Sequence, residues 1–136
     1  MKVLTAFEAR NSYTARENIV ISHTGKKGQI MQEKTPLEIK EMIATNPALK
    51  LIDVREQWEY DKCHIENSTH IPMGKIPDSV DYFEDSSEYV IVCHHGIRSR
   101  TVALYLEQYG VTNLYNLTGG IAKWTDDVDP SLERYR

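Results

Sequence analysis

Cys93-His94-His95-Gly96-Ile97-Arg98 brings a thiol, two imidazoles, a glycine and a guanidinium within one short stretch. It sits between two segments of different period. The apolar, β-branched run Tyr89 to Val92 reads as a buried strand that stops at Cys93. Beyond Arg98, Val102, Tyr105, Leu106 and Tyr109 recur at helical spacing, so a helix begins near Arg98. Cys93 therefore stands at the mouth of a strand-loop-helix turn. The first turn of a helix has N–H groups without internal partners and a partial positive charge, both of which stabilise an anion. A thiolate is such an anion, and thiolate is the nucleophilic form of cysteine. Arg98 adds to the same field, and Gly96 permits the backbone angles that aim successive N–H groups into one concavity. The expected chemistry is nucleophilic attack by Cys93, with His94, His95, Gly96, Ile97, Arg98 and Ser99 forming the cradle for what the sulfur carries.

The elements around this loop define how it is held. Thr35-Pro36-Leu37-Glu38 is a capping box with proline at the first helical position, and Ile39, Met42 and Ile43 carry the helix to about Thr45, where Asn46-Pro47 ends it. Leu49 to Val54 reads as a buried strand, Gln57 to Asp61 as a helical turn, and Thr69 to Ile71 as a short strand. A short helix falls between Met73 and Phe83, and Gly110 is placed to close the helix that follows the cysteine loop. Asn113 to Leu117 is the next strand, and Gly119-Gly120 opens a last helix toward Trp124. Strands alternating with helices predict an α/β domain with a mainly parallel central sheet flanked by helices in three layers. In such sheets ligands bind beyond the carboxyl ends of the strands. Asp53, Arg55, Cys93 and Thr118 to Gly120 all fall there, so they should meet on one rim.

The cysteine loop with its flanking strand and helix resembles the active-site loop of the rhodanese family of sulfurtransferases. Three further stretches match that family in order: Leu51 to Glu56 (LIDVRE), His64-Ile65 followed by His70-Ile71-Pro72, and Leu117 to Trp124 (LTGGIAKW). The resemblance covers about residues 33 to 125. It implies a rhodanese-like domain over 31–136 and a persulfide on Cys93 as covalent intermediate. Its donors would be thiosulfate or a small-molecule or protein persulfide, its acceptors thiols or other thiophiles, and it needs no cofactor and no metal. Four residues separate Cys93 from Arg98, where the related phosphatase loop has five, and the smaller ring suits a sulfur atom better than a phosphoryl group. Phosphatase or arsenate-reductase chemistry stays as the alternative in one direction, and a sulfur-relay module with little free turnover in another.

Asp53 and Arg55 are read as supporting residues, the carboxylate accepting backbone N–H bonds and the arginine tying neighbouring loops together. Cys63 stands where relatives often have glycine; it is read as structural, since its spacing to His64, His70 and His94 matches no zinc pattern. Trp58 and Trp124 read as core or lid packing. Arg98 and Arg100, with the two histidines, suggest a small basic mouth on an acidic body.

The 136 residues and 40% hydrophobic content suit one core, and a net charge of −4 argues against a nucleic-acid surface. No apolar run approaches a membrane span, and two cysteines without an apolar leader point to the cytoplasm. Residues 1–30 match nothing in the family and are expected to be an extension of uncertain order, with Ile19 to Ile21 apolar enough for a short strand. Oligomeric state is not legible.

Overall fold

In the computed structural model, residues 30–83 and 86–136 are described. The expected extension, apart from Ile30, and the strand expected at Ile19 to Ile21 lie outside them. The described chain runs β1 (Gln32–Lys34), α1 (Pro36–Thr45), β2 (Lys50–Asp53), α2 (Gln57–Lys62), β3 (Thr69–His70), two 3₁₀ turns (Met73–Lys75 and Pro77–Tyr82), β4 (Tyr89–Val92), α3 (Ile97–Glu107), β5 (Leu114–Leu117) and α4 (Gly120–Asp127). The strands form one sheet in the order β1-β5-β4-β2-β3, and every pairing is parallel.

Most of these elements follow from local chemistry. Thr35 Oγ1 accepts from Glu38 N while Glu38 Oε1 accepts from Thr35 N, which closes the capping box at the head of α1. A second capping box, unanticipated from sequence, joins Glu56 and Glu59 at the head of α2. The 3₁₀ turns replace the single short helix expected after Met73. Strand β1 escaped the sequence reading because Gln32, Glu33 and Lys34 are polar and lie at the sheet edge, so no apolar alternation betrays them.

β4 is buried on both faces, and its period of two sorts side chains between two cores. Tyr89, Ile91 and Cys93 face the core that holds Val102, Ala103 and Leu106 of α3. Val90 and Val92 face the core of Ile39, Ile121 and Trp124. The alternation therefore fixes that Cys93 points toward the α3 side, and α3 begins only a few residues later. On β5, Leu114 lies in the first core and Leu117 in the second, which places Asn116 on the Cys93 side.

The turn from β5 into α4 is pressed against the cysteine loop. Ile121 N and Ala122 N, at the open end of α4, donate to the carbonyls of Cys93 and His94 at 2.9 and 3.1 Å. Such closeness leaves no room for a side chain at Gly120, where φ is +62° and a Cβ would stand 2.3 Å from the His94 oxygen and 2.4 Å from the Cys93 oxygen. Gly120→Ala is expected to cost at least about 2 kcal/mol, from backbone strain plus displacement of the loop. Urea unfolding checks this; a loss no larger than the helix-surface control Lys123→Ala would show that the loop does not rest on this contact.

Candidate active site

Two backbone donors and a hydroxyl oxygen converge on the sulfur of Cys93; the hydroxyl proton is given to Asn116. Gly96 N lies 3.0 Å from Sγ, Ser99 N 3.3 Å and Ser99 Oγ 3.2 Å. Gly96 is the N-cap of α3, and its φ of +94° turns its N–H inward to the sulfur. Ser99 N is one of the first-turn amides that lack a helical partner, so it is free to serve the sulfur. Cys93 is 1% exposed, yet its sulfur faces amides and a hydroxyl, not hydrocarbon alone. Sulfur in this setting is solvated by protein dipoles in place of water.

Asn116, which the sequence reading missed, supports this arrangement. Its Oδ1 accepts from Ser99 Oγ, and its Nδ2 donates to Gly96 O at 3.0 Å and to Glu33 Oε1 at 2.9 Å. It is fully buried and its amide is spent on the loop. A polar residue at a period-2 core position of β5 was the available signal. Ser99, expected among the residues lining a substrate cradle, is itself fully buried and bonded to the sulfur and Asn116.

Asp53 and Arg55 sit at the exit of β2, both fully buried. Arg55 Nε and Nη2 donate to the Asp53 carboxylate at 2.7 to 3.1 Å, Nη2 also reaches Cys63 O at 2.6 Å, and Nη1 reaches the Tyr135 hydroxyl at 2.8 Å. The arginine thus ties β2, the end of α2 and the C-terminal segment together. The Asp53 carboxylate accepts from Arg55, including its backbone N–H at 3.1 Å. Cys63 is a buried free thiol. Tyr60 stacks between His64 and His70, with ring centroids at 3.9 and 4.5 Å. Among the described residues no His, Cys, Asp and Glu cluster has the geometry of a metal site. Trp124 is core, whereas Trp58 is 57% exposed and packs edge-on against Tyr135.

The basic mouth expected from sequence is revised. Arg98 Nη1 and Nη2 donate to Glu59 Oε1 and Oε2 at 2.8 and 2.9 Å, a bidentate pair. Arg100 pairs with Glu33 at 2.6 Å. Both carboxylates come from elements distant in sequence, α2 and β1, so the loop itself gave no sign of them. His94, half-buried, stacks on Tyr135 at 4.1 Å and lies 4.0 Å from the exposed ring of His95. Burial, then the neighbouring His95, pushes the pKa of His94 down, so it stays neutral at physiological pH. His94, His95 and Tyr135 line a cleft of about 310 Å³ together with Arg134 and Arg136.

The chain belongs to the rhodanese-like domain family, whose model matches residues 35–127. It is 35% identical over 100 residues to YtwF of Bacillus subtilis, a protein provisionally named a sulfurtransferase; the match spans 74% of this chain and 96% of YtwF. The thiosulfate sulfurtransferase GlpE of Coxiella burnetii is 34% identical over 74 residues, 54% of this chain and 69% of GlpE. The crystal structure of a rhodanese-like domain protein from Staphylococcus aureus, 34% identical, superposes with a TM-score of 0.67 over 78% of this chain and all of that one. The family is that of rhodanese-like sulfurtransferases. Among the described residues no helix is long and apolar enough to cross a membrane.

The Glu59 carboxyl carries a measurable consequence. Arg98 first, then Glu56 N and the Tyr135 hydroxyl, hold its pKa down to about 2 from the usual 4.5. A folded-state pKa below the unfolded one gives stability that is present above about pH 4.5 and lost as pH falls toward 2. The stability gap between wild type and Glu59→Gln should therefore be about 2 kcal/mol at pH 7 and shrink steadily below pH 4.5. Urea midpoints across that range measure it; a gap independent of pH would mean that the carboxylate's charge is not what Arg98 recognises.

Proposed function

We propose that the protein transfers sulfane sulfur through a persulfide on Cys93. The observation that carries this reading is the pair of backbone amides that donate to Sγ at 3.0 and 3.3 Å, on a sulfur at the carboxyl end of a parallel strand. Fixed dipoles aimed at one atom favour negative charge there without reorganising when it appears. They serve the thiolate before transfer and the persulfide anion after it.

The reaction is a double displacement. The Cys93 thiolate attacks the outer sulfur of a donor, an S–S bond forms to Cys93, and the S–S bond within the donor breaks. The leaving group takes the electron pair: sulfite from thiosulfate, or a thiolate from an organic persulfide, which then picks up the persulfide's proton. In the second half, an acceptor nucleophile such as cyanide or a thiolate attacks the outer sulfur and Cys93 departs as thiolate. Electrons and charge balance in both halves without an external oxidant. No general base is required once Cys93 is ionised, so His94, neutral and stacked, shapes the mouth and takes no proton. Gly96, Ser99 and, behind them, Asn116 hold the sulfur. Asp53 and Arg55 hold the loops in register, and small sulfur donors and thiol acceptors are the partners this chemistry calls for. The thiosulfate sulfurtransferase name of GlpE and the sulfur carrier name of YrkF from Bacillus subtilis, of which this chain spans 58%, both lie within this chemistry.

Intact mass spectrometry after exposure to a donor should find an adduct of about 32 Da, one sulfur atom, on wild type and none on Cys93→Ser, which should stay folded. Loss of the adduct on treatment with cyanide completes the cycle. An adduct that survives Cys93→Ser, or a phosphoryl adduct in place of sulfur, would overturn the assignment.

A further inference from the structure

A dianion such as thiosulfate is drawn to an uncommitted cation, and among the described residues the arginines of the cysteine loop and of the β2 exit are all paired. Arg55 is bonded to Asp53, Arg98 to Glu59 and Arg100 to Glu33. The strongest of the three for this purpose is Arg98, because it belongs to the cysteine loop and its side chain is 35% exposed, whereas that of Glu59 is 5% exposed. Glu59 is itself held from a second side. The Tyr135 hydroxyl donates to Glu59 Oε2 at 2.9 Å while accepting from Arg55 Nη1 at 2.8 Å, and the Tyr135 ring is fixed between His94 and Trp58. One phenol thus locks two ion pairs. Each arginine of the loop is thus matched by a carboxylate, which weakens its pull on an incoming anion.

A chain neighbour of each member of the Arg98–Glu59 pair is apolar and exposed. Ile97, next to Arg98, is 68% exposed, and Trp58, next to Glu59, is 57% exposed. Apolar surface beside a charge-matched loop fits an organic group better than sulfite.

We propose that Glu59, positioned by Tyr135, sets donor selectivity by occupying Arg98, so that the site takes sulfur from organic persulfides in preference to thiosulfate. The inference rests on the sulfur-transfer reading and adds the substrate class. Glu59 acts through Arg98 and touches no reacting atom, so it is a positioning residue.

The test measures Cys93 persulfide formation, by rate and mass, for wild type, Glu59→Gln and Tyr135→Phe. The donors are thiosulfate and 2-hydroxyethyl persulfide, an alkyl persulfide with no charged group besides its S–SH; cyanide discharges the enzyme in every case. Wild type should prefer the alkyl persulfide. Glu59→Gln, which leaves Arg98 its charge, should raise kcat/KM for thiosulfate about tenfold, with the gain shrinking as salt is added, and change the alkyl persulfide value less than about twofold. Tyr135→Phe keeps the ring and loses the bond to Glu59, so it should move the ratio the same way by less. Equal effects on both donors, or a wild type that prefers thiosulfate, would overturn the inference and leave sulfur transfer standing. Should Glu59→Gln fail to fold, the donor ratio of Tyr135→Phe decides by the same criterion. Absence of an adduct on wild-type Cys93 from either donor would remove the sulfur-transfer reading and this inference with it.

Discussion

A sulfur atom buried at the end of a strand must have its polarity answered, and the short turn between β4 and α3 is what answers it. The chain has to leave the sheet, reverse and enter a helix within a few residues, which requires the left-handed backbone at Gly96. That reversal turns the Gly96 and Ser99 amides onto Sγ. The turn is too short to stand alone. It leans on the β5-to-α4 turn, where the two α4 amides take the Cys93 and His94 carbonyls, and on Asn116, which fastens the Ser99 hydroxyl and the Gly96 carbonyl. Disturbing any of these supports moves the sulfur relative to its donors, and an alignment error of an ångström is large on the scale of reactive geometry.

Around this neutral cradle lies a second system made of charges. Asp53, Arg55, Tyr135, Glu59 and Arg98 form one continuous hydrogen-bonded chain from the exit of β2 to the start of α3. Its buried half is an ion pair that depends on being complete, because removing one member leaves the other charge desolvated and unpaired, at a cost of roughly 3 to 5 kcal/mol. Its exposed half is the Arg98–Glu59 pair at the mouth. A network of this kind contributes less to stability than to fixing where each guanidinium points, and here Arg98 is held on Glu59 and Arg55 on Asp53.

The alternation of short apolar strands with helical segments was enough to read a parallel α/β sheet, because β4 is a continuous apolar run and Val102, Ala103 and Leu106 of α3 recur at helical spacing. The capping box at Thr35 and the glycine pair before α4 were legible for the same reason: each is a local device with a local signature. Strand β1 was not, since three polar edge residues have no pattern to show. Tyr135 was not legible either. A tyrosine near the end of a polar segment looks like surface, and its partners Arg55, Glu59 and His94 lie far away in sequence.

The cysteine, its glycine and the helix that follows them were determined by sequence alone, because strand period, turn chemistry and helix-end electrostatics act over only a few residues. Which carboxylate each arginine faces was decided by tertiary structure. Glu59 and Glu33 reach the loop from α2 and β1, and nothing about residues 93–100 encodes their arrival. Electrostatic pairing depends on distance in space, and the crossovers of a parallel sheet bring together residues that the chain keeps apart.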